Sequence, residues 1–411
     1  MFTGTIKGPA VCSQTREMFR SHLACCILAI AGCSSGNPGA SDADVGDANH
    51  RDAATDASVA DATIPRTCRN LVVVTNRIEV ATAAGDLNGD GRDDLVSVGD
   101  VAGDSFVDVR LADGGGGFGA PASYAIPQFP SDAEIADVDG DGHLDVLVMG
   151  GLELSLLRGL GDGSLASAVT AGSSAKAIEV ADLDGDGVLD LAADDFGTVK
   201  TRLGNGDGSF RAGSSIAVGV GDPDSLAVGR LDDDTLPDLV VADFNQDDVS
   251  VMVGQAGGGL GAPASFAITA DPAGVAIADF DHDGRNDLAI TRFAAGELAI
   301  RRGDGMGGFG TMPDVVVGLG ANAIISADLD ADGFADLIVT RKPSASEAFV
   351  TFLRGRGDGS FDVPVDHAVG GAHATASNPA LGDFDGDGVR DVAVSNGGSG
   401  NLNVLFGPCY N

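Results

Sequence analysis

The sequence predicts an all-β fold: a seven-bladed β-propeller with four-stranded blades, its ring closed by an N-terminal strand that completes the last blade. Three observations predict it. An aspartate-rich nonapeptide returns seven times, starting at positions 86, 137, 182, 230, 279, 328 and 383, at intervals of 51, 45, 48, 49, 49 and 55 residues. Such spacing marks a repeated structural unit. Short alternating runs such as Val249-Ser-Val-Met-Val253 lie between the copies, and a two-residue period bounded by Gly-rich turns is that of a strand. Each repeat has room for four such strands, and four strands per repeat around an axis make a propeller blade.

The first element of a repeat is an inner strand ending in a small residue: Gly85, Ala136, Ala181, Gly229, Ala278, Ala327 or Gly382. Small side chains suit the place where several sheets crowd around a common axis. The loop that follows reads D-x-[DN]-x-D-G-x-x-D in six copies. Side chains at positions 1, 3 and 5 converge on one point, and glycine at position 6 permits the sharp turn. Position 7 offers its carbonyl and position 9 a further carboxylate. Hard oxygens in this number suit Ca²⁺, which takes about six to eight of them, better than Mg²⁺. The side-chain ligands read from the six copies are Asp86, Asn88, Asp90 and Asp94; Asp137, Asp139, Asp141 and Asp145; Asp182, Asp184, Asp186 and Asp190; Asp279, Asp281, Asp283 and Asp287; Asp328, Asp330, Asp332 and Asp336; and Asp383, Asp385, Asp387 and Asp391. About six structural Ca²⁺ ions are expected.

An EF-hand would need flanking helices and a glutamate at position 12. Position 12 is Ser97, Val148, Ala193, Ile290, Val339 or Val394, and the flanks are strand-like. The worn copy carries Arg230 at position 1 and Thr235 at position 6, and keeps Asp232, Asp234 and Asp238. There the guanidinium is expected to pair with the carboxylates and take the place of the ion.

A second strand follows each loop, from Leu95, Val146, Leu191, Leu239, Leu288, Leu337 or Val392. A third runs into a Gly-rich hairpin, clearest in Gly206-Asp-Gly-Ser-Phe210 and Gly357-Asp-Gly-Ser-Phe361. A fourth, outer strand leads to the next repeat.

The calcium loop and the Gly-Asp-Gly-Ser-Phe hairpin together make the chain resemble the FG-GAP/VCBS repeat family, the propellers that include the integrin α-chain head. The resemblance spans residues 68–411 and implies the same propeller. It leaves the function open, because the repeat serves adhesion receptors, lectin-like proteins, phospholipase accessory domains and polysaccharide lyases. The last repeat runs out of chain after a third strand near Leu402–Phe406, so its outer strand is expected from Asn70–Thr75. Cys409 then faces Cys68, and a Cys68–Cys409 disulfide is expected to stand where a covalent hairpin joins these strands in other blades.

Residues 1–33 read as an export signal: Lys7, Arg16 and Arg20 precede a short apolar stretch, Leu23–Gly32, too short to span a bilayer. It ends in Ile30-Ala31-Gly32-Cys33, which looks like a bacterial lipobox, and that resemblance implies lipidation of Cys33. A non-lipidated secretory signal is the alternative, and Met18 is an alternative start. Residues 34–67 are rich in Asp, Ala, Ser and Gly and read as a solvated tether. The expected location is the bacterial outer membrane or cell surface, with membrane contact only through the lipid.

The formal net charge is −37, but 23 loop aspartates account for much of it, and six Ca²⁺ would return twelve positive charges. A chain this acidic with four lysines makes nucleic acid an unsuitable partner. His367 and His373 form the close histidine pair of the domain and are read as surface loop residues; His143 and His282 are expected to face solvent. The tripeptides Arg302-Gly303-Asp304 and Arg356-Gly357-Asp358 resemble an adhesion motif and are read as products of the repeat. Arg292, Arg301, Arg302, Arg341, Lys342, Arg354 and Arg356 gather in repeats five and six, as neutralising charges or as an anion-binding side. With no tryptophan and only Tyr124 and Tyr410 as tyrosines, aromatic sugar platforms are scarce. The reading is a monomeric, non-enzymatic binding or adhesion scaffold for an unknown protein or polysaccharide. A lyase-like, polysaccharide-active enzyme and a structural envelope component are the alternatives.

Overall fold

A computed structural model describes residues 68–409 except 76, 128, 152, 174, 196, 219–224, 345, 371–378, 397–399 and 408. The export signal, Cys33, the tether and His373 lie outside the described residues. All regular structure within them is β. Blade one comprises Ile78–Gly85, Asp94–Val101, Asp104–Arg110 and Ala122–Ile126, hydrogen-bonded in chain order. Blades two to six repeat this order; in blade five the outer strand is split into Phe309–Thr311 and Val315–Val316. Blade seven takes three strands from the C-terminal end, Ala380–Gly382, Asp391–Asn396 and Asn401–Phe406, and its outer strand from Arg69–Val74. That strand runs antiparallel with Leu71 opposite Val404, and Cys68 and Cys409 are joined by a disulfide across 341 residues of sequence.

Each blade is apolar on both faces because it is sandwiched between two neighbours. The core is therefore seven inter-blade layers rather than one centre. Val96, Val107 and Val109 of blade one pack with Ile135, Val146 and Val148 of blade two, and the series continues until Leu95 of blade one meets Phe384, Leu402 and Val404 of blade seven. The small residues that end the inner strands sit where the next blade presses closest. A Cβ on Gly229 would lie 2.9 Å from Ile277, and one on Gly382 2.9 Å from the Asp93 side chain. Across the seam, the Asp93 amide donates to the Asp383 carbonyl at 3.1 Å and the Asp383 amide to Asp93 Oδ2 at 2.9 Å.

Two sequence expectations change in detail. The second strand of every blade begins at loop position 9, not after it; Asp94, for example, is paired with Gly85. His367 is not in a loop but in the outer strand Val365–Gly370. Its ring meets Phe352 edge-on at 5.5 Å, and Nε2 lies 2.9 Å from the Cys409 carbonyl.

Each inner strand runs toward its aspartate loop, so its first residues lie at the opposite end of the ring. There Glu79 is buried, with Ser97 Oγ donating to it at 3.1 Å and Arg110 3.5 Å away. Asp132, also buried, accepts the Ala133 and Ile178 amides at 3.0 and 3.1 Å. Burial raises both carboxyls to about 7.

Candidate metal centres

The seven aspartate loops all connect an inner strand to a second strand, so the topology gathers them at one end of the ring. Within a loop, position 1 organises the turn: Asp137 Oδ1 accepts the amides of Gly140 and Asp141, and Oδ2 that of Gly142. Position 3 accepts the amide of position 5, and position 5 that of position 7, as Asp139 and Asp141 do. Glycine at position 6 is required: Gly142 has φ +88° and Gly187 +87°, a region most side chains avoid.

Position 9 does something the sequence reading did not assign. Its carboxylate is buried in all seven blades. One oxygen accepts the amide of position 2, and the other accepts an amide just beyond the third strand's core. In blade two these are Val138 at 3.1 Å and Gly159 at 2.9 Å; in blade five, Phe280 at 3.0 Å and Gly303 at 2.9 Å; in the worn blade four, Leu231 at 2.6 Å and Gly254 at 2.7 Å. The aspartate thus ties the loop to its own hairpin whether or not the loop has a full ligand set. The signal was in the sequence. The partner beyond the third strand is glycine in every blade but the first, where it is Ala112, and a Cβ at Gly303 would lie 2.1 Å from the Asn286 carbonyl. The following blade adds a second brace: the amides of Gly163, Gly307 and Gly359 donate to the carbonyls of Leu87, Leu231 and Phe280 in the preceding loops.

The expected ligands do converge. Carboxylate oxygens lie within 4.8 Å of one another in Asp137, Asp139 and Asp145; in Asp182, Asp184 and Asp190; in Asp279, Asp281 and Asp287; and in Asp328, Asp330 and Asp332. Blades two, three and five thus bring positions 1, 3 and 9 together, and blade six positions 1, 3 and 5. In blade one Asp86 and Asp90 flank the neutral Asn88, whose Oδ1 accepts the Asp90 amide. In blade seven Asp383 Oδ1 and Oδ2 accept the amides of Gly386, Asp387 and Gly388.

These residues fit a hard divalent cation. Asp281 Oδ1 and Asp385 Oδ1 are buried and accept no hydrogen bond, and an oxygen in that state favours a ligand. Burial pushes the position-9 carboxyls up, Asp94 and Asp287 to about 6 and Asp391 to about 7, despite the amides they accept. A cation would offset that cost. Positions 1, 3, 5 and 9 and the position-7 carbonyl are the groups that would hold it.

The worn loop corrects one expectation. Arg230 is exposed and forms no ion pair among the described residues. The loop is held instead by Asn286 Nδ2 donating to the Arg230 carbonyl at 2.9 Å and by Asp238 accepting the Leu231 and Asp232 amides. The loop carboxylates are engaged by backbone rather than by a guanidinium: Asp232 accepts the Asp234 amide at 2.9 Å and Asp234 the Leu236 amide at 2.7 Å.

Arginines of repeats five and six are largely committed to carboxylates. Arg302 contacts Asp281 at 2.6 Å and Asp283 at 2.7 Å; Arg354 contacts Asp330 at 2.6 Å and Asp332 at 2.9 Å. Arg292 pairs with Glu297 and Asp314, Arg341 with Asp366, and Arg356 with Asp362. These pairs favour neutralisation over an anion-binding side. Both adhesion-like tripeptides are folded into hairpins: Asp304 Oδ1 accepts the Met306 and Gly308 amides, and Asp358 Oδ1 the Ser360 amide and hydroxyl. His143 and His282 are exposed, and the His282 ring meets Phe334 of the next loop edge-on at 5.4 Å.

A family model described as FG-GAP-like repeat matches residues 86–148, 137–193, 230–290, 279–339 and 328–394. A comparison with curated protein sequences gives no match. Among solved structures, the chain is similar to BBS1N crystallised in complex with ARL6DN (TM-score 0.54, 14% identity, covering 80% of this chain and 92% of that one). It is also similar to an Agrocybe aegerita lectin described as recognising non-reducing terminal N-acetylglucosamine (0.51, 22%, 71% and 80%). A third is virginiamycin B lyase from Staphylococcus aureus (0.52, 12%, 82% and 99%). At these identities the likeness is one of fold.

Proposed function

The chain belongs to the FG-GAP-like repeat family, and from that premise we propose that it is a calcium-stiffened, monomeric, non-enzymatic scaffold that binds an extracellular protein or glycan. The observation that carries the reading is the gathering of six aspartate loops at one end of the ring, with carboxylate oxygens drawn together in blades two, three, five and six and every loop tied to its own hairpin by its position-9 carboxylate. Calcium supplies charge neutralisation there, holding together carboxylates that otherwise repel. The residues do the rest: position 1 shapes the turn, position 9 anchors it, and the opposite end of the ring is left for a partner.

A protein partner is favoured over a glycan by the composition of that opposite end. Ile78, Val101 and Phe129 are 56%, 40% and 61% exposed. Ile78 lies opposite Asp100, Ser105 Oγ donates to Asp100 Oδ2 at 2.8 Å, and the Phe129 amide donates to Ser105 Oγ at 3.0 Å. These links draw the three apolar side chains into one corner of blades one and two. The leader and Cys33, outside the described residues, support export and anchoring at the outer membrane or cell surface through a lipid. No helix among the described residues is long and apolar enough to cross a membrane.

The test is to incubate the calcium-loaded protein with bacterial and plant polysaccharides and, separately, with extracts of surface proteins, with and without EDTA. Retention without new chain ends supports a scaffold. Release of new ends would replace this reading with a polysaccharide-active enzyme.

A further inference from the structure

The six ligand sets are alike in sequence but not in their surroundings, and the difference falls on position 3. In blades five and six an arginine bridges positions 3 and 5: Arg302 across Asp281 and Asp283, Arg354 across Asp330 and Asp332, with contacts of 2.6–2.9 Å. In blades two and three an arginine reaches position 3 alone and at longer range, Arg158 to Asp139 and Arg211 to Asp184, both at 3.4 Å. In blade seven no described residue forms an ion pair with Asp385, whose Oδ1 is buried without a hydrogen bond. Blade one has the neutral Asn88 at position 3, and Arg92 lies 2.5 Å from Asp90.

We propose that these partners grade the calcium sites around the ring, so that calcium dependence is greatest at blade seven, beside the seam, and least in blades five, six and one. This rests on the calcium reading above. The physical reason is a competition for one charge. A guanidinium on the outer oxygen of a ligand carboxylate relieves the repulsion that would open an empty loop. The same positive charge then opposes the incoming Ca²⁺ across a few ångströms. The loop is therefore better ordered without the ion and binds it more weakly. Asp281 is the clearest case, because one oxygen is held by Arg302 while the other is buried and unpartnered. Arg302 and Arg354 are about half exposed, 52% and 43%, so solvent screens the effect, and about tenfold in affinity is the expected scale. Blade seven has the opposite balance: a full set of four carboxylates, with no arginine in contact with position 3, which Arg69 reaches only through longer-range attraction. Blade one, with three carboxylates and Arg92 against one of them, stands at the weak end.

The placement has a consequence for the ring. Blade seven is the blade assembled from both chain ends, and Asp93 and Asp383 join its loop to that of blade one. Complete removal of calcium then loosens the seam side most, while blades five and six keep their shape.

Hydrogen exchange read peptide by peptide across a calcium titration tests this in the full-length protein, because each loop reports its own midpoint. The expected order runs from blade seven at the lowest calcium, through blades two and three, to blades five and six and then blade one. Loops 279–287 and 328–336 should keep protection in EDTA that loop 383–391 loses. Arg302→Met and Arg354→Met should each move their own loop's midpoint about tenfold lower and abolish its protection in EDTA, leaving other loops unmoved. A single midpoint for all six loops, or midpoints unmoved by either substitution, overturns the inference while leaving the calcium reading intact. No calcium response in any loop overturns both.

Discussion

Replacing Asp238 with alanine separates the structural work of position 9 from any work done through an ion. Asp238 is buried in the blade that lacks a full ligand set, and it accepts the Leu231 amide at 2.6 Å, the Asp232 amide at 3.2 Å and the Gly254 amide at 2.7 Å. Leu231 and Gly254 are themselves buried, so alanine leaves two amides with neither protein nor water to accept them. At about 1–3 kcal/mol for each unsatisfied buried donor, the loss is about 4 kcal/mol. A domain of about 340 residues unfolds with an entropy near 0.7 kcal/mol/K, so Tm should fall by roughly 6 °C. The assay is thermal unfolding of parent and variant in calcium and in EDTA. The deficit should be the same in both, whereas Asp336→Ala, which removes a clamp and a ligand together, should lose more in calcium. A variant within about 1 °C of the parent, or one impaired only in calcium, would refute the clamp.

Other consequences follow from the buried carboxylates and the seam. Glu79 and Asp132 have folded pKa values raised to about 7 by burial. The folded state thus holds protons that the unfolded chain releases above about pH 4–5. Stability should rise as pH falls from 8 to 6, by about 1 kcal/mol per group, and be fully present below the unfolded pKa. In calcium-saturated protein, urea denaturation across that range should show this slope, and Glu79→Gln with Asp132→Asn should flatten it. Opening the ring by Cys68→Ser releases a constraint spanning 341 residues and should cost about 5 kcal/mol in the chain-entropy account; an equal midpoint for parent and variant in denaturant would contradict it. Gly229→Val brings a Cβ to 2.9 Å from Ile277 of the next blade and should cost about 1–3 kcal/mol through overpacking, measurable in the same titration.

The fold was legible because the repeat writes its geometry seven times. Small residues before the loop, apolar runs after it and the Gly-Asp hairpin each recur in register, and the missing outer strand of blade seven could be counted. The observed borrowed strand, Arg69–Val74, is displaced by one residue from the expected one. What was not legible depends on contacts between distant positions. Position 9 looks like one more carboxylate in the loop, and only its pairing with the inner strand and its bond to a residue such as Gly159 reveal an anchor. Arg230 looked like a built-in cation because charge pairing was argued from composition, while in the fold backbone amides engage Asp232, Asp234 and Asp238. Arg158, Arg211, Arg302 and Arg354 meet position 3 from different strands and at different offsets from the loop, Arg211 on the outer strand and Arg302 on the third. No fixed spacing therefore announces them. His367 was misplaced because the strand Val365–Gly370 is short, leaves Asp366 and Ala368 exposed, and reads as a connection.

The most direct test of the account is the number of calcium ions held by the purified full-length protein, read by native mass spectrometry after equilibration with calcium. The account predicts six, falling to five in Asp385→Ala and staying at six in Asp234→Ala of the worn loop. No bound calcium, or a count that Asp234→Ala lowers and Asp385→Ala does not, would contradict it.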